Sequence, residues 1–105
     1  MKEVTVQQLQ QWRAENKNFQ LIDVRELHEY DICNLEGENI PLGDIQFDYP
    51  KIKKDIPVVV HCRSGKRSAT GIAWLEANEG YDNLYNLKGG ILEWIKEIDP
   101  SLTPY

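Results

Sequence analysis

The apolar and polar positions change period several times along the chain, and each change marks an element. "EVT" at 3–5 is short and β-leaning. Thr5 reads as a helix N-cap, with Gln8 three residues on completing a capping box. Leu9 and Trp12 give the apolar stripe of a helix that ends between Glu15 and Asn18. "FQLIDV" at 19–24 reads as a buried strand and "RELHEYDI" at 25–32 as a short helix. "ENIP" at 38–41 is a short strand stopped by Pro41. "LGDIQFDYPKIKKD" at 42–55 mixes turn residues with apolar ones and predicts short helical turns. "IPVVVHC" at 56–62 is the best central strand, because three β-branched residues follow a proline that can stand only at a strand's start. "SATGIAWLEANEG" at 68–80 predicts a helix closed by Gly80 at the C′ position. "NLYNL" at 83–87 is another strand, and "GGILEWIKEID" at 89–99 a turn and a last helix stopped by Pro100. Strands alternating with helices predict an α/β fold with a mostly parallel central sheet and helices on both faces.

Composition narrows the class. A chain of 105 residues is one domain's worth and can bury a core without staples. A net charge of −5 argues against a general nucleic-acid or acidic-membrane surface. No apolar run approaches the roughly 20 residues that a membrane span needs, and the start "MKEVTVQQLQQW" lacks the apolar stretch of a signal peptide. Two cysteines, Cys33 and Cys62, form neither a disulfide framework nor a zinc site by themselves. The expectation is a cytoplasmic protein with free thiols.

Against the acidic background, "CRSGKRS" at 62–68 carries three cations in a short loop after the best strand. In parallel sheets the ligand site lies beyond the carboxyl ends of the strands, which is where this reading puts Cys62. Gly65 lets the backbone turn back with its N–H groups inward. Ser68 and the helix after it add unpaired donors and the positive end of the helix dipole. Arg63, Lys66 and Arg67 reinforce that field. The nearest anion is the Cys62 sulfur itself, so its pKa should fall below the free value of about 8.5, and the thiolate is a nucleophile. The plainer alternative is a small buried Cys beside a solvated cationic rim; the register of strand, Gly, cations and helix start argues against it.

These residues resemble the active-site loop of the rhodanese family of sulfurtransferases, whose pattern is Cys-Arg-x-Gly-x-Arg-Ser. "LIDVRE" at 21–26 resembles the family's Asp-Val-Arg segment, "NIPLGDI" at 39–45 its Ile-Pro-Leu stretch, and "LKGGILEW" at 87–94 its Gly-Gly-x-x-x-Trp signature. The resemblance implies a single rhodanese-like domain over 1–105 with no cofactor and no metal. It implies that Cys62 is the catalytic residue and carries a persulfide, and that Arg63, Ser64, Gly65, Lys66, Arg67 and Ser68 cradle the sulfur donor. The implied partners are a small sulfur-containing anion such as thiosulfate and a sulfur-carrier or persulfide-donor protein, with no nucleic acid and no membrane. One stretch departs from the family: Cys33-Asn34-Leu35 stands where Gly-His-Ile is common, with one residue fewer before the Ile-Pro. That departure and the end "WIKEIDPSLTPY" look more like rhodanese domains attached to sulfur-carrier-activating enzymes.

The remaining candidates have blander readings. Asp23 and Arg25 read as braces for the loops at the strand ends, with Arg25 near the pocket rim. His61 points to the opposite face from Cys62 and reads as packed. His28 reads as solvated, Cys33 as structural, and Trp12, Trp74 and Trp94 as core. Gly89 and Gly90 read as a tight turn. Asp44, Asp48 and Asp55 lack metal-ligand spacing. Two rival functions remain. A cysteine phosphatase has His-Cys-x5-Arg, but here four residues separate Cys62 from Arg67, which makes a smaller cradle. A non-catalytic binding module is the other; such modules commonly lose the Cys that this chain keeps.

Overall fold

The computed structural model describes all 105 residues. Five parallel strands form one sheet: β1 (Glu3–Val4), β2 (Gln20–Asp23), β3 (Glu38–Asn39), β4 (Val58–His61) and β5 (Leu84–Leu87), in the order β1-β5-β4-β2-β3. The expectation of a mostly parallel sheet is met, and all four strand pairings are parallel. β4 lies at the centre, paired to β2 through Val58–His61 and to β5 through Val58–Val60, and each of its residues is buried. A central parallel strand is covered on both faces, which is why "VVVH" carries no alternation of polar and apolar residues.

The helices α1 (Val6–Ala14), α2 (Leu27–Ile32), α3 (Ile45–Asp48), α4 (Lys66–Glu79) and α5 (Gly90–Glu97) complete the layers. The pleat sorts alternate β4 residues to opposite faces. Val58, Val60 and Cys62 pack with Ile45 of α3 and with Ile72 and Leu75 of α4. Val59 packs with Leu9 of α1 and with Ile91, Trp94 and Ile95 of α5. Each face thus has its own apolar layer.

Local signals set most boundaries. Thr5 caps α1 through the Gln8 amide, and the Gln8 side chain returns to the Thr5 N–H, completing the capping box. Gly80, at φ 69°, ends α4 in the left-handed conformation. The segment 42–55 does form short helical turns: 3-10 turns at Leu42–Asp44 and Tyr49–Lys51 flank α3. Two expectations need correction. The helix predicted from Ser68 begins at Lys66, because Gly65 at φ 103° turns the chain directly into α4. Of the three tryptophans, Trp94 is buried, whereas Trp12 and Trp74 are half-buried and pack against the edges of the two layers.

Candidate active site

Cys62 follows the last residue of β4, and Lys66 opens α4, so the loop 63–65 spans a very short strand-to-helix turn. The result is a sulfur enclosed by donors. The Cys62 Sγ accepts from the Gly65 N–H at 3.1 Å and the Ser68 N–H at 3.4 Å, and Ser68 Oγ lies 3.4 Å away. Cys62 is 1% exposed. Burial pushes its thiol pKa up. Donors converging on the ionised sulfur, the Ser68, Gly65 and Ser64 amides among them, outweigh it, leaving the thiol below its ordinary value. None of the fold's three cavities, about 530, 430 and 240 Å³, is lined by Cys62. Arg63, Ser64 and Lys66 are exposed around the buried sulfur.

The three cations have different surroundings. Arg67 makes a two-pronged ion pair with Glu29 of α2, at 2.7 and 2.9 Å. That pair holds the Glu29 carboxyl down to about 2 and raises the Arg67 guanidinium. Arg63 donates to the main-chain oxygen of Tyr105 and lies over its ring. Lys66 extends into solvent at the start of α4. The charge of Arg67 is thus spent largely on Glu29, and hydrogen-bond donors of the turn, more than its cations, favour an anion on the sulfur.

Asp23 and Arg25 form a fully buried, two-pronged ion pair, with Nη2 to Oδ2 at 2.7 Å and Nε to Oδ1 at 3.0 Å. Arg25 also donates to the Glu29 and Cys33 carbonyls and to the Tyr105 hydroxyl. Burial works against the Arg25 charge, but Asp23 and Tyr105 more than offset it, so the group stays ionised. Arg25 is therefore a brace from below the loops and has no surface at a pocket rim. His61 is buried on the far face of β4, with Nε2 3.6 Å from Asp23 Oδ2. Burial lowers its pKa to about 4, so the ring is neutral at neutral pH. Cys33 is buried with its sulfur 3.4 Å from the Thr103 carbonyl, and His28 is exposed.

Two contributors were not singled out from the sequence. The Gly89-Gly90 turn, read only as a turn, is pressed against the Cys62 loop. The Ile91 N–H donates to Cys62 O at 2.9 Å and the Leu92 N–H to Arg63 O at 3.1 Å, so α5 begins on these carbonyls. A Cβ on Gly90 would lie 2.4 Å from Arg63 O, and its φ is 64°. The second is Asn86, a buried amide in β5 that donates to Gly65 O at 3.0 Å and accepts from the Ser68 hydroxyl at 2.5 Å. A polar residue inside the otherwise apolar strand "LYNL" was the available signal.

Comparison with known proteins places this loop in a family. The profile of the rhodanese-like domain matches residues 5–97, and the chain belongs to the rhodanese-like domain family. A protein named sulfurtransferase from Allochromatium vinosum is 32% identical over 103 residues, covering 97% of this chain and 95% of its own length. The probable adenylyltransferase/sulfurtransferase MoeZ of Mycobacterium tuberculosis is 31% identical over 97% of this chain, which spans only 26% of that relative. The crystal structure of a rhodanese-like domain protein from Staphylococcus aureus superposes with a TM-score of 0.83 at 30% identity, covering 100% of this chain and 99% of that one. The family and its sulfurtransferase-named relatives support a sulfurtransferase. No helix is long and apolar enough to cross a membrane.

Proposed function

We propose that residues 1–105 form a single rhodanese-like sulfurtransferase domain that works through a Cys62 persulfide. The observation that carries the reading is the convergence of the Gly65 and Ser68 amides on the Cys62 sulfur, which favours the thiolate over the thiol. The thiolate attacks the outer sulfur of thiosulfate, or of a persulfide donor. A Cys62 S–S bond forms, the donor's own bond to that sulfur breaks, and sulfite or a thiolate leaves with the electron pair. The outer persulfide sulfur is then attacked by cyanide, a thiol or a sulfur-carrier protein, and Cys62 leaves as the thiolate again. Electrons balance in each step without an added oxidant or reductant.

In this reading Ser64, Gly65 and Ser68 hold the sulfur, Arg63 and Lys66 attract the anionic donor, and Arg67 fixes the loop to α2 through Glu29. The adenylyltransferase/sulfurtransferase names of several partial relatives support a carrier-type acceptor. Two free thiols suit a cytoplasmic location. The phosphatase reading shares the His61-Cys62 pair, but only four residues separate Cys62 from Arg67, and Arg67 is turned to Glu29.

Intact mass after thiosulfate treatment tests the proposal. One added sulfur atom per chain, removed by cyanide and absent in Cys62→Ser, is expected. A chain that gains no sulfur from thiosulfate or from a low-molecular-weight persulfide, or that gains it equally in Cys62→Ser, overturns it.

A further inference from the structure

Ser68 stands among three acceptors with one hydroxyl hydrogen to give. Its Oγ lies 2.5 Å from Asn86 Oδ1, 3.1 Å from Gly65 O and 3.4 Å from Cys62 Sγ. The orientation of the Asn86 amide is fixed by its other end: Gly65 O can only accept, so the atom 3.0 Å from it is the Nδ2 donor. Oδ1 must then face Ser68. A carbonyl oxygen cannot donate, so the hydrogen in the 2.5 Å contact belongs to Ser68. Asn86 binds Gly65 of the loop and Ser68 of α4, is buried, and sits on β5 beside β4.

We propose that Asn86 is a positioning residue that holds the Ser68 hydroxyl hydrogen away from the Cys62 sulfur and so limits the acidity of the thiol. In the thiol form the bonds run in one direction: Cys62 S–H to Ser68 Oγ, and Ser68 O–H to Asn86 Oδ1. This chain favours the neutral sulfur. The ionised sulfur keeps its amide donors, and the Ser68 hydroxyl can turn to it only by leaving Asn86. The charged groups around the loop do not depend on Asn86. Arg67 of α4 is paired with Glu29 of α2, Arg63 is held by Tyr105, Lys66 is in solvent, and His61 and the Asp23–Arg25 pair lie on the other side of β4.

The consequence rests on the sulfurtransferase reading. A thiolate that is too well stabilised attacks more slowly, although it leaves more readily. Cys62 is the attacking group when sulfur is loaded and the leaving group when sulfur is released. Asn86 therefore trades the second half-reaction for the first. Removing it should move the two rates in opposite directions, which a simple loss of packing does not do.

The test reads Cys62 alkylation by iodoacetamide against pH, quantified on the Cys62 peptide by mass. It needs no sulfur donor, so it stands whatever becomes of the sulfurtransferase reading. Asn86→Ala is expected to lower the midpoint by about one pH unit as the freed hydroxyl turns to the sulfur. Ser68→Ala should raise the midpoint in the Asn86→Ala background and fail to raise it in the otherwise unaltered chain. Single-turnover loading from thiosulfate should slow about threefold in Asn86→Ala, and release to cyanide should quicken. Asn86→Leu, which keeps the side-chain volume, serves as the second variant, and circular dichroism reports whether each is folded. If neither Asn86 variant folds, Ser68→Ala alone decides. A midpoint raised by Ser68→Ala in the otherwise unaltered chain means that the hydroxyl already serves the sulfur, and overturns the proposal. So does an unchanged midpoint in a folded Asn86 variant. A shifted midpoint in a chain that transfers no sulfur leaves the role of Asn86 standing and removes the sulfurtransferase reading.

Discussion

The two thiols of this chain are both buried, yet their surroundings are opposite in sense. The Cys62 sulfur lies at the carboxyl end of the central strand and receives N–H donors from the Gly65 and Ser68 amides. The Cys33 sulfur ends the short helix α2 and faces an acceptor, the Thr103 carbonyl. One sulfur accepts hydrogen bonds from the main chain, and the other donates one to it. Burial alone does not distinguish them, since both sulfurs are buried. The difference is made by where unpaired amides point, and at Cys62 the strand turns at once into a helix whose first amides face the sulfur.

The strongest way to break this comparison is to remove each sulfur in turn. Cys62→Ser should reduce thiosulfate:cyanide transfer by on the order of 10³-fold or more. Cys33→Ser should leave it within a few-fold of the unaltered rate. Steady-state rates on folded protein decide, and equal losses would dissolve the distinction.

The next effect is on stability and tests what lies behind Cys62. His61 has a folded-state pKa lowered to about 4 by burial, against about 6.5 when unfolded. A depressed folded value means that the unfolded chain takes up the proton first. The contribution is intact above about pH 6.5 and is lost as pH falls toward 4. Glu29, held at about 2 by Arg67, adds a second loss below about 4.5. Urea melts from pH 7 to 4 should show a fall of about 3 kcal/mol. A flat profile would mean that His61 is charged in the fold.

A smaller effect is expected from the backing of the loop. Gly90→Ala sets a methyl against Arg63 O at a left-handed φ, and should cost about 2 kcal/mol or more in denaturant melts. It should also raise the Cys62 alkylation midpoint by displacing the amides, while the accessibility of Cys33 in the native state stays the same. The smallest effect belongs to the rim. Arg67→Ala breaks a pair whose Arg side chain is 35% exposed, so a loss of about 1 kcal/mol is expected, read as a few degrees in thermal melting. A melt lowered as much as by Gly90→Ala would make the ion pair, and not the amide turn, the main support of the loop.

The elements themselves were largely legible because their signals are local. Thr5 and Gln8 form a capping box within one turn, Gly80 takes the left-handed φ that ends a helix, and "VVVH" lacks alternation because both of its faces are covered. Boundaries moved where tertiary context intervened: α4 starts at Lys66 because Gly65 can adopt a φ of 103° against the turn after β5. The partners of the loop cations were not legible. Nothing along the chain announces that Arg67 meets Glu29, 38 residues away, or that Arg63 meets Tyr105, 42 residues away.

By itself, then, the sequence determined an alternating α/β chain and a Cys followed by a glycine turn and a helix start, because period, capping and turn chemistry act over a few residues. It also determined that Cys62 stands where amides gather, since a strand-to-helix turn leaves its donors unpaired wherever it occurs. Only the tertiary structure decided which charges serve that sulfur and which serve the scaffold. Arg67 goes to Glu29 and Arg25 to Asp23, and Asn86 reaches the loop from a neighbouring strand. Ion pairs and buried hydrogen bonds depend on distances that the packing of the two faces sets, and no spacing along the chain encodes them.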